Sequence, residues 1–229
     1  TNNLIDLDMY VIIDWHTLKD NDPNKYKEDA KVFFDEISTL YKDSPNIIYE
    51  ICNEPSGNTV TWDDQIKPYA EEIIPIIRKN APKSLIIVGT PNWCKDLTSP
   101  SNNKLNYENI LYSCHFYAGT HKQELRDEID KALQNNLPVI VSEWGTTDAS
   151  GNGSVDIEES KKWIEYLNSK KISHINWSFS NKNESSAIIR QDYLENPDNN
   201  DTSNNEDNLK NDFNDYLTES GKFVKSIFN

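Results

Sequence analysis

Ile47-Ile48-Tyr49-Glu50-Ile51-Cys52-Asn53-Glu54-Pro55 is a run of branched and aromatic residues that ends on a carboxylate and stops at a proline. Apolar side chains follow one another instead of alternating. A strand buried on both faces, as in a parallel sheet, reads this way. A second stretch has the same design: Pro138-Val139-Ile140-Val141-Ser142-Glu143-Trp144-Gly145 climbs through branched residues to a carboxylate and closes on a glycine. In α/β folds the C-terminal ends of parallel strands carry the chemistry. Glu54 and Glu143 therefore form a candidate pair at the mouths of two strands. Paired carboxylates are the residues that glycosidic-bond cleavage uses. The plainer alternative is that each glutamate merely ends its strand in an ion pair.

Outward from these two runs, strand and helix patterns alternate. Strands are predicted over residues 9–14, 47–53, 84–89, 110–115, 138–143 and 174–178. Between them lie helical patterns over residues 23–42, 62–80, 121–135 and 157–169, with a short closing helix over 219–228. The first helix should bury Ala30, Phe33, Phe34, Ile37 and Leu40, and the second carries Pro68 and Pro75, which should kink it. Connections this long imply parallel strands joined by right-handed crossovers. Each predicted strand has a polar or aromatic marker at its C-terminal end: His16, Glu54, Trp93, His115, Glu143 and Trp177. Markers at one end of every strand point to the (β/α)8 TIM-barrel family, a single α/β domain over residues 1–229. Six of the eight strands of such a barrel are legible, and residues 1–8 read as the tail of a helix. Residues 197–215, dominated by Asn and Asp, read as a long polar loop.

Composition narrows the partners. The formal net charge of −15 disfavours nucleic acid and anionic membrane surfaces, which need basic patches. It is compatible with a neutral glycan. Six tryptophans and eleven tyrosines supply flat faces suited to sugar rings as well as to a core. No apolar run reaches the roughly 20 residues of a membrane span. No signal peptide is visible and the first residue is Thr1, as expected of a mature product, a cytosolic protein or a fragment. Cys52, Cys94 and Cys114 read as buried thiols, with no paired spacing for a disulfide framework or metal site. No metal and no cofactor are expected: H-E-x-x-H is absent, and neither G-x-G-x-x-G nor a P-loop follows any strand. On their helices, Trp62 and Trp163 are expected to pack in the interior, and Asp14 and Trp15 to give local support. His121 and His174 are expected to be structural or surface residues.

Five motifs in order give a resemblance: residues 11–16 (Val-Ile-Ile-Asp-Trp-His), 48–55 (Ile-Tyr-Glu-Ile-Cys-Asn-Glu-Pro), 113–121 (Ser-Cys-His-Phe-Tyr-Ala-Gly-Thr-His), 141–145 (Val-Ser-Glu-Trp-Gly) and 175–178 (Ile-Asn-Trp-Ser). Together they resemble family five of the glycoside hydrolases, particularly bacterial β-1,4-endoglucanases. The resemblance implies an eight-stranded barrel and a retaining mechanism, with Glu54 as acid/base and Glu143 as nucleophile. It further implies that Asn53 holds the sugar 2-hydroxyl, that Tyr117 steadies the nucleophile and that His16 and His115 line the cleft. Trp177 would stack under a sugar, and Trp93, Lys182 and Glu184 would contact glucan.

Against the family pattern, the chain begins just before the third strand. The first two strands, with a histidine and an arginine beside the nucleophile, have no counterpart in these 229 residues. The predicted sheet then has two open edges, which predicts self-association, most simply as a homodimer. The alternative is that the sequence is part of a longer chain. The expected substrate is a β-1,4-glucan polysaccharide or oligosaccharide, and the expected site of action is outside the cell, where that polymer is found. Two other functions fit the same motifs: a glycan-binding protein with impaired turnover, and a mannanase or xyloglucanase on the same scaffold.

Overall fold

The computed structural model describes residues 1–193 and 214–228. The polar stretch 197–215 lies, but for its last two residues, outside the described residues. Six strands pair in chain order: β1 (Val11–Asp14), β2 (Ile47–Glu50), β3 (Ile86–Val88), β4 (Ile110–Tyr117), β5 (Val139–Gly145) and β6 (His174–Asn176). The β1–β2, β2–β3, β3–β4 and β5–β6 pairings are parallel. The five main helices are α1 (Lys27–Leu40), α2 (Lys67–Asn80), α3 (Gln123–Gln134), α4 (Ile157–Lys170) and α5 (Glu219–Ser226). A single helical turn, Asn2–Asp6, precedes β1 where the tail of a helix is expected. The predicted α/β architecture of six parallel strands is what the chain forms.

The chain divides into two compact units. The first comprises residues 1–115 and 127–140. Its inner layer is aliphatic, with Ile48, Ile87 and Ile140 buried together and Ile12 and Leu111 packed against them. Each of β1 to β5 contributes one residue to this layer. Stacked branched side chains of this kind fill the interior of β/α barrels. Every residue of β2 is buried, as its unbroken apolar run requires.

Helix boundaries differ from the sequence reading where local chemistry intervenes. Residues 23–26 form a 3₁₀ turn, started by Pro23 and capped by the Asp22 carboxylate, which accepts from the Asn24 amide. In α1 the buried residues are Ala30, Phe34 and Ser38. Leu40, expected inside, is exposed at the last position of the helix. The predicted helix 62–80 opens with a π turn, Trp62–Ile66, before α2 begins. Pro68 therefore falls in the first turn of α2, where no amide donor is needed, and only Pro75 is interior. The sheet strands are shorter than predicted at 47–53, 84–89 and 174–178: β2 and β6 lose their last residues, and β3 loses residues 84 and 85 at its start and 89 at its end.

The second unit comprises residues 116–126 and 141–229. Its core is aromatic. The Phe116 and Trp163 rings stack at 3.8 Å between centroids, and Trp144 stacks on the other side of Phe116 at 5.7 Å. The Arg126 guanidinium lies 4.9 Å from the Trp163 ring and donates to Glu159 at 2.7 Å, both side chains being buried. Removing one partner of such a pair typically costs about 3–5 kcal/mol, because the other charge stays buried alone. Asp156 caps α4 by accepting from the Glu159 amide, and Lys171 ends it in the left-handed conformation at φ 57°.

β5 and β6 are not in simple register. Val141 pairs with His174 and Trp144 with Asn176, so three steps along β5 oppose two along β6. The extra residue is a bulge, a device that re-aims side chains beside sites. Glu143 lies within it.

Burial holds the half-buried His174 imidazole below the ordinary histidine value. Its Nδ1 accepts the Trp144 indole N–H at 3.1 Å, a bond that needs this nitrogen unprotonated. The unfolded chain binds the proton at a higher pH than the folded one. This contribution to stability is therefore intact above about pH 6.5 and is lost as pH falls through the lower folded value. Thermal unfolding followed at pH 7 and pH 5 should show a smaller fall in Tm for His174→Gln than for the parent. Equal falls would contradict the assignment.

Candidate active site

In the first unit, β2 delivers Asn53 and Glu54. Beyond Glu50 the chain stays tied to β3 through the Ile51 amide, which donates to the Ile87 carbonyl at 3.0 Å. It then lifts off as Asn53-Glu54-Pro55. Asn53 is buried, and its amide nitrogen lies 3.3 Å from His16 Nε2. The other ring nitrogen of His16 meets Asp14 at 2.7 Å. One tautomer satisfies both contacts: Asn53 donates to Nε2, and Nδ1–H donates to Asp14. Trp15 packs on Phe33 at 5.2 Å between centroids, which gives β1's end the local support expected of it.

Glu54 is half-buried, and its Oε1 lies 2.8 Å from Nδ1 of the buried His115 on β4. Close packing beneath this segment depends on Gly89. A Cβ there would stand 2.5 Å from the Cys52 carbonyl oxygen, 2.7 Å from that of Asn53 and 2.8 Å from Pro55. After Gly89 the chain makes a left-handed turn, with Asn92, Trp93 and Cys94 at φ 58°, 55° and 56°. For residues with a Cβ this costs roughly 1–2 kcal/mol each. The turn leaves Trp93 nearly half exposed, with the Lys95 ammonium 5.3 Å from its ring. Trp93 lines a cleft of about 310 Å³ with Asn58, Asn92 and Asp96.

In the second unit, Glu143 is buried on β5, and its Oε1 accepts the Tyr117 hydroxyl at 2.8 Å. Tyr117 is held at its backbone too. Its amide donates to His121 Nδ1 at 2.8 Å, and the His121 carbonyl accepts from the Trp163 indole. His121 is thus structural, as expected, but the structure it supports is the seat of Tyr117. Gly145 lets the Tyr117 ring lie flat against the strand. Trp177 follows β6 directly, with its amide donating to the Trp144 carbonyl at 2.8 Å. Lys182 and Glu184 form an ion pair at 2.8 Å in the wall of a second cleft of about 470 Å³. The other Glu184 oxygen is buried with no partner among the described residues.

The structure therefore joins Asn53 to His16, Glu54 to His115, Tyr117 to Glu143 and Lys182 to Glu184. Trp93 and Trp177 are placed by their own backbones. Trp62 and Trp163 are buried, and the three cysteines are free and buried, all as the sequence suggests. Sequence reasoning missed the left-handed turn, the two close-packed glycines, and Cys94, whose thiol donates to the Asn53 carbonyl at 3.0 Å. The one available signal was glycine after an apolar run.

A Cβ at position 145 would stand 2.5 Å from Cδ1 and Cε1 of Tyr117. Gly145→Ala should therefore displace that ring and destabilise the fold by about 1–3 kcal/mol. In a chain of this size, that lowers Tm by roughly 2–12 °C. Gly145→Ala made on Tyr117→Ala, where the ring is gone, should lower Tm much less than it does on the parent. Calorimetry of these variants checks the difference, and an unchanged Tm for Gly145→Ala would contradict the packing.

Comparison with known proteins places this architecture. A family profile described as cellulase (glycosyl hydrolase family 5) matches residues 1–183. Endoglucanase A of Evansella cellulosilytica is 54% identical over 185 residues, covering 81% of this chain and 38% of the relative. An endoglucanase of Clostridium saccharobutylicum is 54% identical over 186 residues, covering 81% of this chain and 41% of its own length. This chain thus spans about two fifths of the length of these relatives. The catalytic domain of Thermobifida fusca endoglucanase Cel5A, solved with cellotetraose, superposes with a TM-score of 0.84 at 33% identity, covering 98% of this chain and 72% of that one. The chain belongs to the cellulase family, glycosyl hydrolase family 5.

Proposed function

We infer that the protein hydrolyses internal β-1,4-glucosidic bonds of cellulose or a related β-glucan with retention of anomeric configuration. Glu143 is the nucleophile and Glu54 the acid/base. The observation that carries this reading is that the two family-motif glutamates stand at strand ends in different settings. Glu143 is buried and takes a tyrosine hydroxyl, whereas Glu54 is half-buried and pairs with a histidine. A buried carboxylate with one oxygen fixed by a donor is oriented for attack through the other. A half-open carboxyl can exchange a proton with a leaving group and then with water.

In the first step a Glu143 oxygen bonds to the anomeric carbon as the glycosidic bond breaks. The proton of Glu54 passes to the departing oxygen. In the second step Glu54 takes a proton from water, the water oxygen bonds to the anomeric carbon, and Glu143 is released as carboxylate. This chemistry requires carboxyls about 5–5.5 Å apart. Buried Asn53, with an amide fixed by His16, suits a sugar hydroxyl close to the reacting centre. Exposed Trp93 suits a sugar face, and the exposed Lys182 ammonium, held by Glu184, suits a sugar hydroxyl further along the chain. A neutral polymer also suits a protein with net charge −15. The polymer lies outside cells, and so does the proposed site of action.

Self-association belongs to the same proposal. Among the described residues β1 and β6 each have one neighbour in the strand order, and exposed Met9 and Tyr10 precede β1. Light scattering that shows a monodisperse monomer removes it.

The test is reducing-end release from carboxymethyl-cellulose with proton NMR of the first-formed anomer. The parent should release β-anomers. Glu143→Gln and Glu54→Gln should each lose at least about 10²-fold in rate. Azide added to Glu54→Ala should yield the β-glycosyl azide, and added to Glu143→Ala the α-azide. First-formed α-anomers, or a fully active Glu143→Gln, would overturn the assignment.

A further inference from the structure

We propose that the left-handed turn Asn92–Cys94 positions the acid/base, with the Cys94 thiol acting as the clamp on the Asn53–Glu54 peptide. This rests on the reading of Glu54 as acid/base. Glu54 follows the last residue of β2 by four positions, outside the sheet ladder, and has no strand partner to fix its backbone. The turn supplies that fixation at two points. Cys94 Sγ donates to the Asn53 carbonyl at 3.0 Å, and the Trp93 amide donates to the Pro55 carbonyl at 3.1 Å. These two bonds straddle Glu54.

The strained backbone is what makes both bonds possible. Three successive residues with positive φ turn the Trp93 amide and the Cys94 side chain back toward the end of β2 while the Trp93 ring points into solvent. Costly backbone conformations persist where the surroundings over-determine them, and they cluster at functional sites. Here the surroundings are tight. Gly89 brings the turn's root into direct contact with the Cys52 and Asn53 carbonyls. The Cys94 amide donates to the Thr90 carbonyl and the Lys95 amide to the Pro91 carbonyl, each at 3.1 Å. Cys94 is fully buried, the Ser113 hydroxyl bonds to its sulfur, and burial with the nearby Glu54 charge keeps the group a neutral thiol. A neutral thiol keeps its proton and remains a donor to the carbonyl.

The same turn presents Trp93 on its outer side. Glucan contact there and the geometry of Glu54 are thus features of one rigid segment. Cys94 acts through Asn53 and Glu54 and touches no substrate, so it is a positioning residue.

The test compares Cys94→Ala, which removes the donor, with Cys94→Ser, which keeps one. The substrates are a cello-oligosaccharide, whose departing sugar needs protonation, and 2,4-dinitrophenyl β-cellobioside, whose leaving group does not. Cys94→Ala should lose about tenfold in kcat/KM on the oligosaccharide with little change in KM, and less than about twofold on the aryl glycoside. Cys94→Ser should recover most of the loss. Independently of turnover, NMR titration of the His115 ring reads its contact with Glu54. The midpoint should move in Cys94→Ala and stay at the parental value in Cys94→Ser. Parallel losses on both substrates, or an unmoved His115 midpoint in a folded Cys94→Ala, would overturn the proposal. A parent inactive on both substrates would instead contradict the reading of function, and the His115 titration would then decide the positioning role alone.

Discussion

Backbone pairing of β2 with strands on both sides is the constraint from which the first unit's chemistry follows. Trp15 donates to the Glu50 carbonyl on one side, and Ile51 donates to the Ile87 carbonyl on the other, each at 3.0 Å. A strand gripped on both edges and buried on both faces cannot slip, since a one-residue shift would turn its aliphatic layer outward. Where the chain leaves the ladder toward Asn53 and Glu54 is then set by the register of β2. Pro55, which cannot extend the ladder, makes the release point definite. The second unit reaches the same end by another route. Its strand carries a bulge at Glu143, and an aromatic stack below it replaces the aliphatic layer.

These two routes match the two roles proposed for the glutamates. Glu143 is part of its strand, buried and braced by a tyrosine that is itself held at amide, ring and hydroxyl. Such bracing suits a group that must approach one carbon along one line. Glu54 lies past the end of its strand, partly open to water, beside a buried histidine. A group that gives up a proton and later removes one from water needs that access. The cost is a backbone without a ladder partner, and the turn at Asn92–Cys94 supplies the missing bonds.

Much of this was legible in the sequence, for identifiable reasons. β2 and β5 announced themselves because burial on both faces leaves an unbroken apolar signature, and breakers close each run. Trp62 and Trp163 were readable as packed residues from their places in helical patterns. What could not be read is set by contacts distant along the chain. Gly89 is essential because of the Cys52 and Asn53 carbonyls, 37 and 36 positions earlier, and Gly145 because of the Tyr117 ring, 28 positions earlier. Nothing in Pro-Asn-Trp-Cys signals three left-handed residues, since none of the three is glycine. In α1 Ser38 is buried, and Leu40, at the last position of the helix, is exposed. The Arg126–Glu159 pair joins two helices across 33 residues, which no local pattern records.

The proposed attack of Glu143 on the anomeric carbon is open to a direct test. The most direct measurement is incubation with 2,4-dinitrophenyl 2-deoxy-2-fluoro-β-cellobioside, followed by peptide mass spectrometry. The fluorine slows both formation and release of the glycosyl-enzyme, and the dinitrophenolate leaving group speeds formation alone, so the intermediate accumulates. Stoichiometric release of dinitrophenol and one fluorocellobiosyl group on the peptide that carries Glu143 are expected. A label on Glu54 or any other residue, or turnover of natural glucan with no label at all, would contradict attack by Glu143.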